Sequence, residues 1–463
     1  MKNKISKQAL KESIIAGTGH GHVCHPSQLP DLTRREMLLG GSYLAGFLMA
    51  SQFLPGSKAL AAPGLYPPLR RLVWINMGGG WDILEITDPK PSSTSGIDMM
   101  YDWGAAQNLA GAGANDKIGR WLSRTAAMGQ DVVVVRGLSM GTTSHMAGAV
   151  YMDTGVLSNS GNVNAASIPA IVASESMATI PIIQLNGGMD PKIDRGLLSP
   201  VSVVRAQNLN LYRSMYPTTQ SELDQKLLIL DYLNSSIDRV KARTGDHDRL
   251  KAVSSAQQKI TTQLNDDVGS QLALNNTDRA AFAVGAPTNL NGGLRDAFAL
   301  SLKLLKNNLV TCLSLGVGGF DTHANQERSM QPIVEGFDYL LATFVAQLRA
   351  ANQLDNTLIV LYSDFGRTPK VNNNNGRDHW PYGGALMVGG GIQGGRIVGA
   401  TDDNLRALEI DRTTGVQQTG TQFTLSPSNL GGSVLELTLG ASYTTQYRKY
   451  LESVPALTKL KTS

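Results

Sequence analysis

Cysteine is almost missing: the 463 residues contain two, Cys24 and Cys312. Once the amino-terminal stretch is removed, as argued below, Cys312 stands alone and no intramolecular disulfide can form. The fold must then rest on its core, which a chain of this length can supply. A long apolar run is also missing. The best candidate, ending at Leu54, is broken by Gly40, Gly41, Ser42, Gly46, Ser51 and Gln52, whereas a spanning helix needs about 20 mostly apolar residues. No stable membrane span is therefore expected in the remainder. Excess charge is missing from most of the chain. Of 41 basic and 37 acidic residues, seven basic and three acidic ones fall within 1–61, leaving 34 of each. A neutral remainder carries no electrostatic footprint for nucleic acid. No dinucleotide fingerprint follows a strand-like run, which with one remaining thiol argues against a redox role.

What is present begins with the leader. Thr33-Arg34-Arg35-Glu36-Met37-Leu38-Leu39 precedes a short apolar stretch softened by Gly and Ser, then Ala59-Leu60-Ala61. Paired arginines, a weak apolar core and an Ala-x-Ala end predict a twin-arginine signal over 1–61, cleaved after Ala61. The expected destination is the periplasm or the extracellular space, and the expected transient partner is the twin-arginine translocase. The tract His20-Gly21-His22-Val23-Cys24-His25 resembles a small metal-binding segment, but it leaves with the leader.

Residues 62–70 read as a linker. Beyond it, Arg71–Met77, Asp131–Arg136, Leu309–Val317 and Asn356–Tyr362 are apolar, β-branched runs of the kind buried on both sheet faces. The last two follow amphipathic patterns over Gly293–Lys306 and Met330–Asn352, and Ala385–Val388 and Arg396–Val398 supply later short strands. Strands alternating with helices predict an α/β fold: a doubly wound, mostly parallel sheet with helices on both faces. Residues 71–200 and 286–463 form its two parts. The polar, Gln- and Lys-rich interval 201–285 predicts a helical insertion between them.

Open parallel sheets bind ligands outside the carboxyl ends of their strands. Polar residues collect just there: Asp82 after the first run, Thr143, Ser144 and His145 after the second, Asp321 and His323 after the third. Asp364 and Arg367 follow the fourth, with Arg377, Asp378 and His379 shortly after. Three of the four histidines left after cleavage fall in these segments; the fourth, His247, lies in the insertion. Carboxylates and imidazoles gathered at one edge suit one or two divalent cations, with Zn, Mn, Mg and Ca all admissible. Ser144 or Thr143 at a helix amino-terminus would meet free N–H groups and the positive end of the dipole, which favours an alkoxide and an anion. Two cations could activate that hydroxyl for an in-line displacement. Arg367 and Arg377, with Asp378, are candidates to hold a small anionic ester; the competing reading gives both arginines loop-bracing hydrogen bonds.

The motifs GGGWD, TSHMAGAVYMDTG, GFDTHANQ, SDFGRTPKVNNNNGRDHWP and GGGIQGGRIVG together resemble the domain of unknown function 1501 family over roughly 70–440. That family resembles the alkaline-phosphatase and sulfatase superfamily. The resemblance implies a parallel-sheet α/β fold with two metal ions and a Ser or Thr nucleophile. Carried over by position, Asp82 and Asp364 would share one metal with the nucleophile, for which Ser144 beside His145 is preferred to Thr143. Asp321, His323 and His379 would bind the other. Two departures stand out. Phe365 follows Asp364 where the superfamily has His, and Asn325 stands where a later His is usual. A site poorer in imidazoles would favour harder ions such as Ca or Mg. The expected function is an exported, metal-dependent hydrolase of phosphate or sulfate esters. The rival is a non-catalytic exported scaffold or binding protein that keeps the fold and a structural metal.

Overall fold

The chain divides into Met1–Phe53 and Leu54–Ser463. In the computed structural model the described residues run from 70 to 461, apart from 92–95, 161–162, 177, 179, 192–202, 206–215, 246–249, most of 251–267 and 441–450. The leader, its arginine pair and His247 lie outside the described residues.

Eight strands form one sheet. In chain order they are β1 (Arg71–Met77), β2 (Val132–Ser139), β3 (Ile180–Leu185), β4 (Val203–Arg205), β5 (Val310–Val317), β6 (Thr357–Tyr362), β7 (Tyr382–Gly389) and β8 (Arg396–Val398). They lie side by side as β8-β2-β7-β6-β1-β5-β3-β4. β1 pairs in parallel with β5 and β6, β5 with β3, β3 with β4, and β2 with β8. Only β7 runs against its neighbours, β2 and β6. The sheet is thus mostly parallel, and every residue of the central β5 and β6 is buried, as strands covered on both faces require. β4 lies within the interval read as helical; the helices described there are α3 (Gln220–Thr244) and the short Val268–Gln271 and Asn276–Ala280.

Alternation along β1 divides its side chains between two layers. Leu72 and Trp74 join a core that includes Ile168 and Ile171 of α2 (Ile168–Ser174) and Leu430, Val434 and Leu435 of α6 (Pro427–Leu439). The helix α1 (His145–Thr154) packs on α6 in the same layer. The other layer holds α4 (Gly292–Lys306) and α5 (Gln326–Ala350), joined by edge-to-face contacts of Phe298 with Phe337 and Phe344, centroids 6.1 and 5.4 Å apart. Among the described residues no helix is long and apolar enough to cross a membrane.

The reversed β7 has a direct consequence for the site. A strand running backwards begins where its neighbours end. Residues just before Tyr382 therefore reach the same edge as those just after Met77, Ser139, Val317 and Tyr362. That is how His379, which precedes β7, comes to lie beside segments that follow parallel strands.

Candidate functional site

Two glycines permit the close packing of this edge. Gly79 has φ +116°, and a Cβ there would stand 2.4 Å from the Asp321 amide nitrogen. Gly148, one turn into α1, approaches β6 so closely that a Cβ would lie 2.1 Å from the Asp364 carbonyl oxygen. Only glycine lets α1 sit low enough for His145, its first residue, to reach Asp364.

Three imidazoles and one carboxylate oxygen converge. The Nε2 atoms of His145, His323 and His379 lie 3.4, 3.1 and 3.4 Å from Asp321 Oδ1. His323 and His379 bring their Nε2 atoms to 3.0 Å of each other. Each ring is fixed from behind through Nδ1: His145 by Asp364 Oδ2 at 2.6 Å, His323 by Asp378 Oδ1 at 2.9 Å, and His379 by the Thr143 carbonyl at 2.8 Å. An oxygen acceptor at Nδ1 places the ring proton there and turns the Nε2 lone pair inward, the arrangement found behind metal-bound imidazoles. His145 Nε2 is buried and has no hydrogen-bond partner, a costly state for a polar atom. Candidate ligand atoms of His145, Asp321 and His379 all lie within 4.8 Å of one another. Asp321, Asp364 and Asp378 with the guanidinium of Arg367 give the group a net charge of minus two when the rings are neutral, which matches a dication.

Phe365 backs two of the rings, which also meet each other edge-to-face with centroids 4.6 Å apart. Fully buried, it packs against His145 and His379 with centroids 4.6 and 4.5 Å away. The position that the resemblance marks as a lost imidazole is thus an apolar support against two others. Nothing in the sequence signals this contact, nor the use of the Thr143 backbone carbonyl behind His379.

The titrating groups are set unequally. The hydrogen bond that His145 donates to Asp364 raises the His145 pKa above 6.5, against the effect of burial. Burial lowers that of His379. His379 is therefore neutral at neutral pH, whereas His145 retains part of its proton, which a cation must displace. Cation binding near pH 7 is expected to release a proton, measured by titration calorimetry in buffers of different ionisation enthalpy, and affinity should fall as pH drops through the raised His145 pKa. In the metal-free protein the sign is opposite. The stabilisation from charged His145 is present below 6.5 and is lost as pH rises through its folded-state value. Asp364→Asn should weaken cation binding about 10- to 100-fold, the usual effect of removing a carboxylate behind a ligating imidazole, and should diminish the proton release.

The remaining expected site residues lie as follows. Ser144 precedes α1 and makes no capping hydrogen bond with its side chain; both it and Thr143 are exposed at the mouth of the group. Asp82 does not join the imidazoles. It is fully buried, accepting from the Leu84 amide at 2.9 Å and from Gln326 Nε2 at 2.6 Å, with Arg377 Nε 2.8 Å from Oδ2. Arg377 is also buried and donates to the carbonyls of Thr368 and Pro369 at 2.8 and 2.5 Å and to that of Asp98. Arg367 is buried among the carbonyls of Gly80 (2.7 Å), Arg377 (3.1 Å), Phe320 (3.2 Å) and Gly79, and reaches the cluster through Nη2, 2.6 Å from Asp321 Oδ1, and Nη1, 3.4 Å from His323 Nε2. A two-residue antiparallel ribbon pairs it with His379.

The family described as Protein of unknown function (DUF1501) matches residues 69–417. The chain belongs to the DUF1501 family. The match spans both halves of the sheet and every side chain of the cluster. No curated protein matches the sequence. Solved structures similar to this DUF1501 chain include PsFucS1 sulfatase from Pseudoalteromonas sp., at 10% identity and TM-score 0.36, covering 93% of this chain and 76% of that one. The lipoteichoic acid synthase LtaP from Listeria monocytogenes aligns at 9% identity and TM-score 0.35 over 89% of this chain and 81% of its own. A protein in the alkaline phosphatase superfamily from Vibrio parahaemolyticus aligns at 11% identity and TM-score 0.31, over 78% and 72% respectively.

Proposed function

We propose that this DUF1501 chain is an exported, metal-dependent hydrolase of phosphate or sulfate esters. The observation that supports this most is the convergence of three inward Nε2 atoms on Asp321 Oδ1 beside the exposed hydroxyl that begins α1. His145, Asp321 and His379 would hold the cation, with His323 alongside; Asp364, Asp378 and the Thr143 carbonyl orient the rings. Two imidazoles and a carboxylate leave a coordination position open, as hydrolytic sites do. An imidazole-rich set suits Zn better than Ca or Mg, which reverses the preference for hard ions drawn from the sequence. Bound there, a dication supplies Lewis-acid polarisation of a phosphoryl or sulfuryl oxygen.

The chain's own groups do the rest. Ser144, with Thr143 as the alternative, supplies the attacking hydroxyl at a helix amino-terminus, where unpaired N–H groups favour negative charge. Arg367, fully buried, holds Asp321 in place from within. The leader motif supports export through the twin-arginine translocase to the periplasm or beyond. The test is turnover of aryl phosphates, phosphodiesters and aryl sulfates by Zn- and Mn-loaded protein. Hydrolysis should disappear in Ser144→Ala with cation affinity unchanged. Loaded protein that consumes none of these esters at any pH would refute the assignment.

One observation favours a second reading, an exported binding or scaffold protein with a structural metal. Arg367 and Arg377, the side chains best suited to an anionic ester, are both committed to internal carbonyls and carboxylates. Under that reading chelation lowers thermal stability while no ester is consumed.

A further inference from the structure

The sequence resemblance implies two metal ions, one of them between Asp82 and Asp364. The side chains around those two carboxylates do not fit that role. Asp82 is enclosed: the Leu84 amide and Gln326 Nε2 donate to its two oxygens, Arg377 Nε stands 2.8 Å from Oδ2 as an ion pair without hydrogen-bond alignment, and none of its surface is exposed. The Arg377 guanidinium is itself a full positive charge and buried in a fixed fork of carbonyls. A dication on Asp82 would have to displace that guanidinium or sit against it. Asp364 is committed as well. The Gly79 amide faces both of its oxygens at 3.2 Å, and His145 Nδ1 takes Oδ2 at 2.6 Å.

We infer that the site takes a single divalent cation, and that Arg377 supplies at Asp82 the positive charge a second cation would bring. The inference rests on the metal-dependent reading above and narrows it. A one-cation site divides labour differently from a two-cation clamp. The cation at Asp321 acts on the substrate, while the buried Asp82–Arg377 pair, with Gln326 on the same oxygen, carries no ligand and ties the loop after β1 to the segment before β7.

The stoichiometry of the full chain decides it. Metal-free protein titrated with Mn should bind one equivalent, and its electron paramagnetic resonance spectrum should be that of an isolated ion. Asp82→Asn should keep the equivalent with affinity unchanged within about twofold, and Asp321→Asn should lose it. Two equivalents, or the multiline spectrum of an exchange-coupled pair, would overturn the one-cation inference while leaving the hydrolase reading standing. No bound Mn, and no bound Zn in a parallel titration, would overturn both. Should Asp82→Asn fail to fold, the count and spectrum of the unaltered protein remain decisive.

Discussion

Asp321→Asn is expected to abolish divalent-cation binding, with an affinity loss greater than the roughly 100-fold that follows from removing an outer partner of a ligand. Asp321 Oδ1 is the one atom that all three Nε2 groups face, at 3.1 to 3.4 Å. Its carboxyl is held below the usual carboxylate range: burial opposes the charge, but the hydrogen bond and charge of Arg367, with His145 and His323 near, outweigh it. The anion is therefore already formed at neutral pH and needs no proton removed. The amide keeps the shape and removes the charge, so three imidazoles would face a neutral oxygen. Ligand linkage makes the result visible in stability. A cation at 100 times its dissociation constant adds about 2.7 kcal/mol to the folded state, and this increment, read as the difference between metal-loaded and metal-free melting temperatures of the same protein, should vanish in Asp321→Asn, whose metal-free form also loses the counter-charge of buried Arg367. An unchanged cation response would remove Asp321 from the site.

Arg367→Met is expected to destabilise the protein by about 3–5 kcal/mol, the range found when one partner of a buried charge network is deleted. The guanidinium is fully buried and joins the loops after β1, β5 and β6 through the carbonyls of Gly79, Gly80, Phe320 and Arg377. Methionine fills part of the volume and leaves those acceptors unsatisfied, each a desolvated group without a donor. Asp321 also loses its counter-charge. Denaturant unfolding should show a lower midpoint at unchanged slope. A variant as stable as the parent, with only its turnover of anionic esters impaired, would make Arg367 a substrate-facing residue instead.

Much of the architecture is legible in the residues because buried parallel strands are written as unbroken apolar runs. Val310–Val317 and Thr357–Tyr362 stand out for that reason, as does the amphipathic pattern of α4. Strand direction is not written in this way. Tyr382–Gly389 reads like any other buried strand, and only its antiparallel pairing brings His379 to the edge where parallel strands end. β4 is three residues long, too short for a period of two to register within a polar, helix-like interval.

The chemistry divides similarly. Position after a strand singles out His145, Asp321, His323, Asp364 and His379, and the fold gathers the three rings around Asp321 with Asp364 behind His145. The same criterion selects Asp82 equally well. Its partner Arg377 lies hundreds of residues later in the chain, and no local pattern reveals that a carboxylate is already neutralised from within. The division between ligand and support is likewise a property of packing. Asp364 reads as a metal ligand and Asp378 as a substrate contact in the sequence, yet each stands at the Nδ1 side of a ring whose other nitrogen faces inward.

His145, Asp321 and His379 are proposed to share one cation. Crystals of the protein soaked in Zn and measured across the zinc absorption edge test it most directly. An anomalous peak is expected about 2.0–2.2 Å from both imidazole nitrogens and the Asp321 carboxylate. A peak lodged instead between Asp82 and Asp364, or no peak near the three residues, would contradict it.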